Sequence, residues 1–471
     1  MTSQVTVSER RPIHASTPTT LASPFILGPF DQTAGFVPIQ VVWLYEAQQD
    51  KEVIAIERLQ RAIELLLSYY PHLTGRIRVD SKSGLRQIVK FEAGAELVLA
   101  NCNARLDSFD DPSPGRIMAL PGKGNALLPP FDPNPANCES QPIIAIQRTR
   151  FSCGAVALGI RGAHTICDGV GYFLLVRHLA ELYRGLSSSD KPTLSRPPYL
   201  APLVAELIGA PSHEESNFEP TVLTTKPPPG PPYSPPPYPP VGRFLRFTRD
   251  HLARIKQLAT EPGGSGWVST LDALTAHLYQ SVYRARLKLF AQDPSLGTLS
   301  APDFLTAVNT RAGLGISDPE LYFPNAIFAA FITVEPPELE RLGLPDGPLW
   351  KTAKVFHELI RSPAVSDTSE INNTLRWIAR QPDLRAIQSG LRYGTGSFMF
   401  SAWSKLEYID LEFDEGVKPV LACPPFTLSS TLDGLAYSLP PERGAKEGDI
   451  DVNMALIEPM WPIVTKELGL E

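Results

Sequence analysis

The segment His164-Thr165-Ile166-Cys167-Asp168-Gly169 sets an imidazole four residues before a carboxylate, directly after an apolar run. Imidazole titrates near neutral pH. In a cleft it takes a proton from a hydroxyl or amine and returns it to a leaving group within one turnover. Asp168 admits two readings from its position: it orients the imidazole as in a triad, or it pairs with a cation and shapes the loop. Gly169 would allow a tight backbone turn between the base and the next helix. The competing reading of His164 is a satisfied core histidine at a strand end. Cys167 has a nucleophile's side chain but reads first as a small buried residue.

The surrounding elements favour a mounted base. Ile143–Thr149 and Ala155–Ala163 read as strands joined by the turn Phe151-Ser152-Cys153-Gly154, and the second strand delivers His164. Beyond Gly169, residues Phe173 to Tyr183 carry Leu175, Leu179 and Leu182 at helical spacing and stop at Gly185. A side chain at a strand's C-terminal end, just before a helix, is where α/β folds often mount catalytic groups. Upstream, Phe36–Tyr45 reads as a strand, with Phe36 and Trp43 as candidate pocket lining. Glu57–Tyr70 reads as an amphipathic helix that Pro71 ends.

Downstream, Leu271–Arg286 reads as a long helix capped by Ser269 or Thr270. Those two residues could hold a phosphate at the helix N-terminus, and an ordinary cap explains them equally well. Arg243 and Arg246 are further candidates for anionic phosphates. Strands are expected at 304–308, 327–334, 397–403, 420–423 and 450–456. Strands and helices mix in both halves without strict βαβ alternation, which predicts two α+β domains.

Composition bounds the function. A length of 471 residues suits two domains of about 200 residues each. A net charge of -7 with no basic run argues against a nucleic-acid partner and against charge-driven membrane binding. The longest apolar stretch, 326–334, falls far short of the ~20 residues of a membrane span. Five cysteines without C-x-x-C spacing argue against a disulfide framework or a zinc site, and no metal is expected. Reduced thiols are the simplest reading, which predicts a soluble cytoplasmic protein. The first twenty residues read as a flexible polar arm. Many of the 48 prolines cluster between Pro227 and Pro240, an expected extended spacer. The predicted plan is an arm at 1–20, a first domain at 21–215, a crossover at 216–245 and a second domain at 246–471.

The string AIQRTRFSCGAVALGIRGAHTICDGVG resembles the centre of the BAHD family of coenzyme A-dependent acyltransferases, where a Phe-x-Cys-Gly turn leads into H-x-x-x-D-G. Further likenesses occur in the family's order. Leu27-Gly28-Pro29-Phe30-Asp31 is similar to its L-x-P-x-D opening, and Tyr70-Pro71-His72-Leu73-Thr74-Gly75-Arg76 to its Y-P-x-x-G-R. Ser269–Leu274 is similar to its later helix start, Val308-Asn309-Thr310-Arg311 to its V-D/N-x-R, Tyr322-Phe323-Pro324-Asn325-Ala326 to its Y-F-G-N, and Ser401-Ala402-Trp403 to its T-S-W. Its D-F-G-W-G-K-P signature is altered here, with Glu412–Pro419 as nearest counterpart.

The resemblance implies a monomer with the chloramphenicol acetyltransferase-like fold, two similar mixed-sheet domains with the active centre between them. It implies an acyl-CoA co-substrate, and acyl transfer, acetyl first, to a hydroxyl of a hydrophobic alcohol in specialised metabolism. His164 would act as general base without an acyl-enzyme. Arg311 would pair with Asp168, while Ser401 and Trp403 would lie near the oxyanion. Amine acceptors, a condensation-type reaction on carrier-bound thioesters and a silent binding protein on the same fold are the competing readings. Position 163 is alanine where condensation-type domains usually double the histidine.

Overall fold

The computed structural model describes all residues except 1–3, 50, 110–114, 133, 202–217, 228–236, 265, 443 and 471. Two six-stranded mixed sheets organise the chain. The first orders its strands Val5–Ile13, Ala95–Cys102, Ile144–Phe151, Val156–Ala163, Pro38–Tyr45 and Leu421–Cys423. Strand Pro38–Tyr45 shows why this sheet is interior. Ile39, Val41, Trp43 and Tyr45 face helices Ile56–Tyr69 and Gly169–Gly185, while Val42 and Leu44 enter a second cluster with Leu106, Ile117 and Leu127. Both faces are covered, so Val41 to Tyr45 is continuously apolar rather than alternating.

The second sheet orders Ile327–Ile332, Phe304–Asn309, Phe398–Ala402, Leu435–Leu439, Ile450–Ile457 and Pro240–Phe247. Its core packs against helices Thr270–Gln292, Leu349–Leu359 and Trp461–Glu467. Strand Phe398–Ala402 runs parallel to both of its neighbours, so its C-terminal end and that of Phe304–Asn309 lie on one side. That side meets the C-terminal end of Val156–Ala163, where His164 stands. The α+β class and the two mixed sheets are as expected.

Three expectations change. Val5–Ile13 is no loose arm but an edge strand antiparallel to Ala95–Cys102. Its ladder is made of backbone bonds, which need no apolar side chains, so its polar sequence hid it. Residues 246–471 are not one packing unit. Leu421–Cys423 pairs with Pro38–Tyr45 of the first sheet, and Tyr408, Leu411 and Phe413 pack in that sheet's core. Strand Pro240–Phe247 occupies the end of the expected crossover, while most of the proline cluster lies outside the described residues.

The altered signature loop is part of this packing. Phe413 is fully buried, Asp414 accepts from the Ile54 amide at 2.8 Å and the Tyr183 hydroxyl at 3.1 Å, and Arg184 donates to the Glu412 carbonyl. These contacts tie the loop to the first sheet's core, to helix Gly169–Gly185 and to the segment that leads into helix Ile56–Tyr69.

Candidate active site

Helix Gly169–Gly185 starts at its N-cap Asp168, whose Oδ1 accepts from the amides of Val170 at 3.0 Å and Gly171 at 3.2 Å. The same carboxylate takes both arms of Arg311, at 2.8 and 2.9 Å, and the Ala326 amide at 2.9 Å. Arg311 spends its remaining donors on the carbonyls of Tyr322 and Pro324 and on Asn309 Oδ1. Both partners are 2 % exposed, so this is a desolvated pair with its hydrogen bonds filled, and it stitches the first sheet's helix to the second sheet's loops. No hydrogen bond joins Asp168 to His164. Of its two sequence readings, the cation pair is the one that forms.

His164 is clamped through its backbone. Its amide donates to the Val37 carbonyl at 3.0 Å, and its carbonyl accepts from Asn325 Nδ2 at 3.0 Å. Asn325 in turn rests on Asp31, donating to Oδ1 from both amide nitrogens at 3.1 and 2.8 Å. Burial raises Asp31 to about 7, against the pull of those bonds and of the Gly28 amide. Asp31 and Asn325 sit in motifs quoted from the sequence, yet neither was singled out, because their contribution is a bond to a peptide group.

The imidazole's Nδ1 is buried without a hydrogen-bond partner among the described residues, which leaves Nε2 as the nitrogen open to the cavity. Desolvation lowers the His164 pKa, and its own backbone, Asp168 and Asn325 oppose this only in part. The ring is therefore neutral at pH 7 and able to accept a proton.

Gly169 corrects an expectation. It has no positive φ, so no turn demands glycine there. Two residues on, a Cβ on Gly171 would lie 2.0 Å from the Phe323 carbonyl oxygen. The glycine requirement is a close backbone approach across the interface.

A cavity of about 410 Å³ opens at His164 between the sheets. Asn309, Ser401, Trp403, Tyr437 and Asn453 of the second unit line it opposite Val37 to Gln40 of the first. Trp403 Nε1 donates to Ser401 Oγ at 3.1 Å, and Phe173 and Tyr437 hold the indole edge-on. The indole N–H is thereby occupied, and the Ser401 hydroxyl keeps its own proton for the cavity. The two residues expected as separate donors form one relay.

Two further pockets adjoin this cavity. Val170, Lys405 and Leu406 also line an open groove of about 760 Å³ along helix Gly169–Gly185. Gln40, Thr427 and Ser429 are shared with a smaller pocket of about 160 Å³ that reaches Asn125 and Leu428. Both thus share walls with the cavity that holds His164.

The other expected residues stand elsewhere. Phe36 lines a separate small pocket and lies under Arg86, and Trp43 is fully buried with its N–H on the Tyr408 carbonyl. Odd-numbered side chains of that strand face the helices, which turns Trp43 into core. Ser269 forms a capping box with Asp272, with bonds of 3.0 and 2.8 Å, and Thr270 begins the helix. Neither lines the His164 cavity. Arg243 lies over the Trp461 ring at 5.0 Å, and Arg246 makes a two-armed pair with Asp451 at 2.8 Å. Their strand is at the sheet edge, three places from Phe398–Ala402, so they are remote from Ser401. Cys167 is buried and its thiol is pushed up by desolvation, which suits core packing and not nucleophilic attack. The cysteines are all free, and no cluster of metal-ligating side chains occurs among the described residues. No described helix is long and apolar enough to cross a membrane.

A family model described as "Transferase family" matches residues 3–463. Hydroxycinnamoyltransferase 2 of Oryza sativa subsp. japonica is 28 % identical over 405 residues, covering 85 % of this chain and 84 % of the relative. A hydroxycinnamoyl-CoA:5-hydroxyanthranilate N-hydroxycinnamoyltransferase of Avena sativa is 27 % identical over 85 % of this chain and 83 % of its own length. Among solved structures, F. graminearum TRI101 complexed with coenzyme A and deoxynivalenol superposes with a TM-score of 0.71 at 19 % identity, over 94 % of this chain and 96 % of that one. Vinorine synthase does so at 0.69 and 18 %, over 99 % and 98 %. The structural likenesses establish the fold.

Proposed function

The chain belongs to the BAHD family of acyl-CoA-dependent acyltransferases, and from that premise we propose that it moves an acyl group, acetyl in the simplest case, from coenzyme A to a hydroxyl of a small apolar molecule. The single observation that carries this reading is the placement of the His164 imidazole, its pKa lowered by desolvation, with Nε2 open to a cavity that Ser401 also lines and that further pockets adjoin. Two substrates entering through those pockets would meet at that nitrogen. Holding them together converts a bimolecular collision into a positioned reaction.

The acceptor O–H gives its proton to His164 Nε2 as its oxygen bonds to the thioester carbon. The carbonyl oxygen becomes an oxyanion, and the Ser401 hydroxyl, polarised by the Trp403 N–H, donates to it. The intermediate then breaks its C–S bond, and the imidazolium returns the proton to the departing thiolate. No acyl-enzyme forms, because Cys167 is buried away from the cavity. Asp168 and Arg311 hold the two units at the correct separation without touching the reacting atoms.

For coenzyme A, the region before helix Thr270–Gln292 remains a candidate. Exposed Trp267 stacks edge-on against His357 and beneath Arg361, close to Ser269. An amine acceptor is the second reading, since several similar proteins are named for N-acylation. The test is incubation with acetyl- and hydroxycinnamoyl-coenzyme A against a panel of lipophilic alcohols and amines, with products identified by mass. An ester product establishes the O-acyl reading, an amide product replaces it with the second, and unchanged donors in every mixture would reject both.

A further inference from the structure

Ser401, Tyr437 and Asn453 lie abreast on three adjacent strands of the second sheet. Ser401 is in register with Tyr437, and Tyr437 with Asn453. Residues directly opposite one another point to the same face, and all three line the His164 cavity. Adjacent strands are ~5 Å apart, so Asn453 stands ~10 Å from Ser401. The next residue in the row, Phe244, is apolar and packs edge-on against Phe426. Asn453 is therefore the last polar side chain of the row before an aromatic wall.

Asn453 is only 2 % exposed, and its Oδ1 has no hydrogen-bond partner among the described residues. Its Nδ2 makes one long bond, 3.5 Å, to the Pro424 carbonyl. A desolvated amide oxygen without a donor is costly, and a sheet position among apolar neighbours would more simply hold a leucine or valine. Facing it, the 427–430 turn adds Thr427, Ser429 and Ser430 to the cavity wall, with hydroxyl contacts of 2.9 and 3.2 Å among them. This end of the cavity is built for a hydrogen-bonding ligand.

We propose that Asn453 is a specificity-determining residue, whose Oδ1 accepts a hydrogen bond from a hydroxyl carried ~10 Å from the reacting carbon on an elongated, otherwise apolar substrate. The inference rests on the acyltransferase reading above and narrows its substrate class to molecules oxygenated at both ends. That hydroxyl belongs either to the acceptor or to the acyl group, since the chemistry that recognises it is the same. Matched substrate pairs separate these two sources.

The experiment measures kcat/KM for wild type, Asn453→Leu and Asn453→Ala with two pairs. The acceptor pair is a linear diol with oxygens ~10 Å apart and its mono-alcohol. The donor pair is p-coumaroyl- and cinnamoyl-coenzyme A, tested with whichever acceptor wild type turns over best. Within a pair, the ratio cancels any loss of folded enzyme. Wild type is expected to favour the hydroxylated member of one pair by at least about ten-fold, and both variants to bring that ratio within about two-fold of unity. The pair that responds identifies which substrate carries the hydroxyl. Ratios near unity in wild type, or ratios the variants leave unchanged, would overturn the assignment while the acyltransferase reading stands. Absence of transfer from any donor would overturn both.

Discussion

The two walls of the cavity are built differently. Around His164, at the end of a first-sheet strand, loops of both sheets close a set of bonds: Val37 and Asn325 grip its peptide, Asp31 grips Asn325, and Arg311 fills Asp168. Asp31, Asp168, Arg311 and Asn325 are all buried, and their polar atoms are almost all engaged with protein. On the second-sheet side, Ser401, Tyr437 and Asn453 form a row whose hydrogen-bonding capacity faces the cavity. The first wall fixes the peptide that carries the imidazole. The second keeps its polar groups for whatever enters. Rigidity and recognition are thus divided between the clamp around His164, which draws on loops of both sheets, and the open row of the second sheet, and a substitution should damage one without the other.

The sharpest break is His164→Ala. It should lower kcat by roughly 10²–10⁴-fold, the usual worth of a positioned base, while the melting temperature barely moves, because the clamp grips the backbone and not the ring. Asp168→Ala should do the reverse. Leaving Arg311 as a buried unpaired charge costs about 3–5 kcal/mol, so chemical denaturation should show a large loss of stability, with activity falling as folded enzyme is lost. On the opposite wall, Ser401→Ala should reduce kcat and kcat/KM together by roughly 10²-fold, at little cost in stability.

The smallest effect is in pH. His164 sits below 6.5 because of burial, and the base must be neutral, so kcat/KM should rise from acid to a plateau with a midpoint below 6.5. A midpoint above 6.5 would contradict a desolvated base. Stability should take a related course. His72 is lowered to about 3, and His178 and His277 to about 4, all first by desolvation. Below pH 6.5 the unfolded chain takes up protons that these folded sites refuse, so stability falls as the pH drops from 6.5 toward 4. Buried Asp31 and Glu442, both raised to about 7, act with the opposite sign by favouring the folded state in acid, so denaturant melts should show a shallow net loss.

Much of the catalytic wall was legible in the sequence because it depends on short-range patterns. An apolar strand, a histidine at its end and a helix after an Asp-Gly pair place His164 and Asp168 without any tertiary information. The strands at 304–309, 327–332, 398–402 and 450–457 announced themselves by apolar runs. The features that stayed hidden depend on register between distant segments. Asn453 lies in a strand whose apolar neighbours gave no hint that it would stand beside Tyr437, and Leu435–Leu439 is a strand the sequence reading does not include. Trp43 looked like pocket lining because its strand was correct but its face was not. Arg243 and Arg246 looked like phosphate ligands because their partners, Trp461 and Asp451, are more than two hundred residues away in sequence. Asp31 and Asn325 act on a peptide group, and residue type alone carries no sign of that.

The most direct test of His164 as the base is acceptor-dependent release of free thiol from acyl-coenzyme A by wild type and His164→Ala, each first shown to be folded by its melting temperature. Release by wild type should require an acceptor and should fall by at least about a hundred-fold in the variant. Equal release by the two proteins would contradict His164 as the base.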